Sequence, residues 1–126
     1  MQSDEITKEN IRLLIMTFYR TVLKDDLIGK VFISKLGDDI NSEEWKIHLE
    51  ILISFWASLA LGDKEYKGSP FLPHTQLGTL KKEMFEQWLK LFFTTLDKIY
   101  VPKIADKFKE RSTIIADNFM RNLGID

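Results

Sequence analysis

The sequence predicts an all-α domain, and three observations carry that prediction. Apolar residues recur at three- and four-residue spacing over long stretches. Those stretches are bounded by capping residues, glycines and prolines. No segment shows a β-type alternation above background. At 126 residues, residues 1–126 form a single domain long enough to bury a core.

The first long helix is expected from about Thr7 to Lys24, with Ile11, Leu14, Ile15, Phe18, Val22 and Leu23 on one apolar face and Tyr19 on its edge. Asp25 and Asp26 end that pattern. "LIGKVFISKLGDD" then reads as short helical turns that carry Phe32 and stop at Gly37. A second long helix opens at Asn41 or Ser42, where Asn41 and Glu44 resemble a capping box. Trp45, His48, Leu49, Leu52, Phe55, Trp56 and Leu59 share its buried side, and Gly62 closes it as a C′ glycine. The third long helix spans about Leu80 to Tyr100, with Thr79 as N-cap and Met84, Phe85, Trp88, Leu89, Phe92, Leu96 and Ile99 as its stripe. Pro102 breaks the run. A fourth helix, about Lys103 to Leu123, buries Ile104, Phe108, Ile115, Phe119 and Leu123 before Gly124. Four long helices with short connections suggest two antiparallel pairs.

Composition removes several function classes. A net charge of −1 gives no basic excess for nucleic acid or an anionic membrane. The absence of cysteine excludes disulfides, zinc–thiolate sites and iron–sulfur ligation. The opening "MQSDEITKEN" lacks the apolar core of a signal peptide. The apolar run "ILISFWASLAL" falls short of the ~20 residues of a membrane span. The expected location is therefore cytoplasmic.

The connector "GDKEYKGSPFLPHTQLGT" supports no long helix, and a loop of that length usually carries function. It holds His74, one of two histidines in the chain, beside Pro73 and near Phe71, Leu72 and Leu77. The other, His48, faces inward and by itself reads as a core histidine bonded to a backbone carbonyl. Tyr19 and Trp88 by themselves read as core aromatics whose polar tips find partners. Together these residues fit a haem site better. Haem iron needs one neutral imidazole against an apolar slot, and the opposite side needs hydrogen-bond donors near a bound diatomic. Tyr19, His48 and Trp88 come from three helices and are donors able to converge there.

The chain resembles the third group of the truncated haemoglobins, a bacterial family. The resemblance covers nearly the whole chain and rests on Phe18–Tyr19, Phe32 in "GKVF", "EEWKIHLEILISFW", "GSPFLPHTQL" and "FEQWLKLF", and on the spacing between these blocks. The chain also lacks a Gly–Gly pair, as that group does. The resemblance implies a truncated globin fold, a two-over-two helical sandwich, holding a b-type haem (iron protoporphyrin IX) without covalent attachment. It implies His74 as the iron ligand, Tyr19 and Trp88 as the distal hydrogen-bonding pair, and His48 at the distal gate. Phe32 would pack on the haem face and Leu52 and Phe55 would line the walls. Leu77 and Trp88 would also contact the haem, and Trp56 would be a packing residue typical of the group.

The expected function is reversible binding of O2, with NO and CO as further ligands. One alternative is an enzyme at the same site, an NO dioxygenase or a peroxidase-like catalyst fed by an unidentified reductase, although the chain carries no GxGxxG fingerprint of its own. A second is a haem-free helical interaction module whose aromatic stripes are only core.

Overall fold

The computed structural model describes residues 2–61, 81–122 and 124. Five helices occur among them: α1 (Lys8–Leu23), α2 (Gly29–Leu36), α3 (Glu43–Leu61), α4 (Lys82–Ile99) and α5 (Pro102–Asn122). Helix α1 packs on α2, α3 and α4, and α4 packs on α5. The result is two helix pairs, α1 with α3 and α4 with α5, joined through the α1–α4 contact. Among the described residues no helix is long and apolar enough to cross a membrane.

The start of α1 is fixed by a reciprocal cap. The Thr7 hydroxyl accepts from the Asn10 N–H at 3.1 Å, and the Asn10 carboxamide oxygen accepts from the Thr7 N–H at 2.9 Å. The same carboxamide oxygen accepts from the Tyr100 hydroxyl at 2.6 Å. Ser3 brackets Tyr100 through backbone bonds to Ile99 and Val101. The arm before α1 is thereby tied to the α4–α5 corner. Ile11, Leu14, Ile15, Phe18 and Val22 are fully buried along α1, as the helical spacing requires.

Helix α2 begins against the end of α1. A Cβ on Gly29 would lie 2.8 Å from the Val22 carbonyl oxygen, so only glycine permits the approach. Gly37 ends α2 at φ 83°, a conformation that favours glycine, and its carbonyl accepts from the Trp45 indole at 2.8 Å. That bond ties α2 to α3.

Several boundaries differ from the sequence expectation. Of the two starts expected for α3 the structure uses Ser42, whose hydroxyl accepts from the Trp45 N–H at 3.4 Å, while in place of the expected Asn41–Glu44 box Asn41 donates its own N–H to Asp39. Leu59 is 39% exposed rather than buried, because it faces an open groove toward α5 beside Ile114. Helix α4 starts at Lys82 with Lys81 as N-cap, and the Lys81 side chain makes no cap bond. Pro102 is the first residue of α5, a position that suits its fixed φ and missing N–H. The expected caps Thr79 and Gly62, the 62–79 connector and Leu123 lie outside the described residues.

Candidate functional site

The core converges on an aromatic assembly at the crossing of α1, α3 and α4. The Phe18 ring meets Tyr19 at 4.8 Å, Trp88 at 5.5 Å and Phe92 at 4.9 Å, all edge-on. Trp88 stacks on Phe92 at 5.3 Å. These ring contacts set how α4 lies against α1. They also place the Trp88 indole beside the Tyr19 hydroxyl, near enough to favour its ionised form.

Tyr19 is 1% exposed. Burial drives its hydroxyl pKa well above the ordinary tyrosine value, and Trp88 only partly opposes this. The group is therefore a neutral phenol across the physiological range. A phenol in that state carries an O–H that can donate to a ligand.

Tyr19 and Trp88 line an apolar cleft together with Leu52 and Phe55 of α3, backed by Trp56, Phe92 and Phe119. Four of the residues singled out in the sequence are thus brought to one cleft. Phe32 and His48 are not among its lining residues and pack instead on the Tyr19 ring, at 5.5 and 5.7 Å. His48 is buried in a box of rings, edge-on to Tyr19 and to Trp45 at 5.6 Å and tilted on Phe32 at 6.3 Å. A gate built on His48 must therefore open by moving a packed side chain. His74 and Leu77 lie outside the described residues.

Trp45 emerges as a part of this assembly that the sequence presents only as core. Its ring packs on Tyr19, Phe32 and His48 while its N–H is committed to Gly37. Its i, i+3 relation to His48 is the signal that would have linked the two.

The chemistry of the cleft suits a flat apolar macrocycle that carries a polar ligand. Its walls are aliphatic and aromatic, and its polar tips are the Tyr19–Trp88 pair. No protein-family model matches the chain. The chain is 35% identical over 123 residues to the group 3 truncated haemoglobin ctb of Campylobacter jejuni, with 98% of this chain and 95% of that protein covered.

The chain belongs to the group 3 truncated haemoglobins.

The crystal structure of the group III truncated haemoglobin from Campylobacter jejuni superposes with a TM-score of 0.87 at 35% identity, covering 98% of this chain and 95% of that one. The all-α, two-over-two truncated globin fold expected from the sequence is thereby established. Membership makes this truncated haemoglobin a haem globin with reversible ligand binding. The lining of the described cleft fits such a group by its chemistry, since apolar walls cover a porphyrin and bring few competing polar atoms, but the cavity is only about 10 Å³ and must open to admit one.

Proposed function

We propose that this truncated haemoglobin binds O2 reversibly at a ferrous b-type haem, with NO and CO as further ligands, in the cytoplasm. The absence of cysteine removes the thiol that a thioether link to haem would form from, so the haem is held without such a link. His74 is the iron ligand in this reading. Tyr19 and Trp88 form the distal pair, His48 the gate, and Phe32, Leu52, Phe55 and Leu77 the haem contacts.

The observation that carries the reading is the pairing of the Trp88 indole with the buried Tyr19 phenol in an otherwise apolar cleft. When bound, the haem supplies the iron on which a diatomic gas is held. Trp88 lies beside the Tyr19 hydroxyl and orients it. Tyr19 holds its proton because ionisation in that buried setting is unfavourable. Leu52 and Phe55 exclude water from the cleft, which strengthens any hydrogen bond made there. A donor fixed in this way holds a polar ligand tightly. That favours retention of O2 over its delivery, and it equally serves NO or peroxide chemistry if a reductase supplies electrons.

The test is the visible spectrum of the purified protein. A Soret band that shifts reversibly with O2 and CO after reduction is the expected result. A protein that takes up no haem when supplied with it would overturn the reading and favour the haem-free module.

A further inference from the structure

We propose that Asp25 is a positioning residue for the distal pair, a single carboxylate that locks α2 and α4 onto the end of α1 and so sets how Trp88 meets Tyr19. This rests on the proposed distal role of those two residues.

Asp25 lies one residue beyond the end of α1, after the C-cap Lys24, and its N–H donates to the Val22 carbonyl at 3.0 Å. One carboxylate oxygen accepts from the Leu27 and Ile28 N–H groups at 3.0 and 2.9 Å, just ahead of α2. The other accepts from the Gln87 carboxamide of α4 at 2.7 Å. Gln87 is the immediate neighbour of Trp88. Each element that Asp25 joins carries one member of the assembly: Tyr19 on α1, Phe32 on α2 and Trp88 on α4.

The geometry asks for such a tie. An indole has one N–H, and its bond weakens steeply with misalignment. The Lys81 side chain makes no cap bond at the start of α4. The Gln87–Asp25 bond lies one residue from the donor and resists sliding of α4 along α1. Burial pushes the Asp25 pKa up, but the bonds from Ile28, Gln87 and Leu27, with the charge of Lys90, outweigh it and hold the carboxyl below its ordinary value. The carboxylate is therefore charged wherever the globin works. This strengthens each bond it accepts.

A carboxylate that only capped the α1–α2 turn would affect stability and leave ligand behaviour alone. The experiment separates the two roles on the haem-loaded protein. O2 and CO dissociation rates, the C–O stretch of the CO complex and the Trp88 indole 15N–1H shift are compared in wild type, Asp25→Ala, Asp25→Asn, Gln87→Leu and Tyr19→Phe. Asp25→Ala is expected to change O2 release by roughly 3- to 10-fold, part of the value of a full hydrogen bond to a charged acceptor. The C–O stretch and the indole shift move with it, and CO release changes far less. Gln87→Leu keeps the turn cap and should reproduce these changes, so the proposal stays testable if Asp25→Ala does not fold. Asp25→Asn should restore wild-type values, because its oxygen can accept from Leu27 and Ile28 while its NH2 pairs with a flipped Gln87 amide. If Tyr19→Phe alters O2 release while Gln87→Leu leaves O2 release, stretch and indole shift unchanged, Asp25 is only a cap and the proposal is wrong. If Tyr19→Phe itself changes nothing, the distal reading has failed and this proposal falls with it.

Discussion

The Trp88 indole lies beside the Tyr19 hydroxyl across the α1–α4 contact, where it opposes part of the rise that burial imposes on the phenol's pKa. In the distal reading the pair is a relay, in which tryptophan orients the phenol and the phenol retains a proton to give. A hydrogen bond to a charged acceptor is worth roughly 1.5–3 kcal/mol. Tyr19→Phe should then speed O2 release by on the order of 10- to 100-fold, with a much smaller effect on the less polar CO complex. Trp88→Phe acts through Tyr19, so the double variant should show coupling of about 0.5–3 kcal/mol. Stopped-flow measurement of O2 dissociation checks this, and unchanged rates in both single variants would sink the distal assignment.

His74→Leu should abolish stable haem binding or leave a weakly held haem with an altered spectrum. The chain offers one other histidine, and His48 is buried among Tyr19, Phe32 and Trp45. Absorption spectra of the ferrous variant decide the matter. An unchanged five-coordinate spectrum would show that His74 is not the ligand.

His48→Leu should alter CO association at least as much as O2 dissociation. The imidazole is packed against the Tyr19 ring rather than lining the cleft, so its effect is on access and on the setting of Tyr19. Flash photolysis with CO measures access directly. An effect confined to O2 dissociation would instead make His48 a direct donor to the ligand.

Gly29→Ala should destabilise the fold by about 1–3 kcal/mol, the range for forcing an extra methyl group into a packed site. The new Cβ would meet backbone oxygens of Val22 and Leu23 at 2.8 and 3.0 Å, and neither can rotate away. Because α2 carries Phe32 onto Tyr19, the variant should also perturb the haem spectrum. Urea midpoints test the first claim. Wild-type stability in the variant would mean that α2 does not approach α1 this closely.

Alkaline pH should weaken the fold through Tyr19 and Tyr100, whose buried hydroxyls are both raised above their ordinary value of 10.0. Below that value both states hold the protons and the contribution is constant. As pH rises past it, the unfolded chain releases protons that the folded chain retains. Stability then falls by up to about 1.4 kcal/mol per pH unit for each tyrosine. Tyr100→Phe should lower stability overall, through its lost bond to Asn10, and also make this alkaline slope shallower. Urea denaturation at several pH values above about 10 tests the slope, and an identical slope in wild type and variant would refute the assignment.

The sequence by itself determined the helices and much of the core. The apolar face of α1, the stop at Gly37 and the stripe from Phe85 to Ile99 are local matters of a 3.6-residue period and of backbone freedom, legible without a partner. It also marked Tyr19, Phe32, His48, Leu52, Phe55 and Trp88 as residues to watch. Only the tertiary structure decided what they touch. Tyr19 stands at the edge of its helical face in the sequence, yet it is fully enclosed, because Phe32 and Trp45 arrive from other helices to cover it. Leu59 has the spacing of a core residue and is 39% exposed, because among the described residues it lines a groove with Ile114 and Arg111 rather than packing into the core. The Trp88–Tyr19 pairing and the Gln87–Asp25 bond link positions more than sixty residues apart. Their existence depends on the register of α4 against α1. That register is set by how Phe18, Trp88 and Phe92 interlock, a matter of three-dimensional shape that no period along one helix encodes.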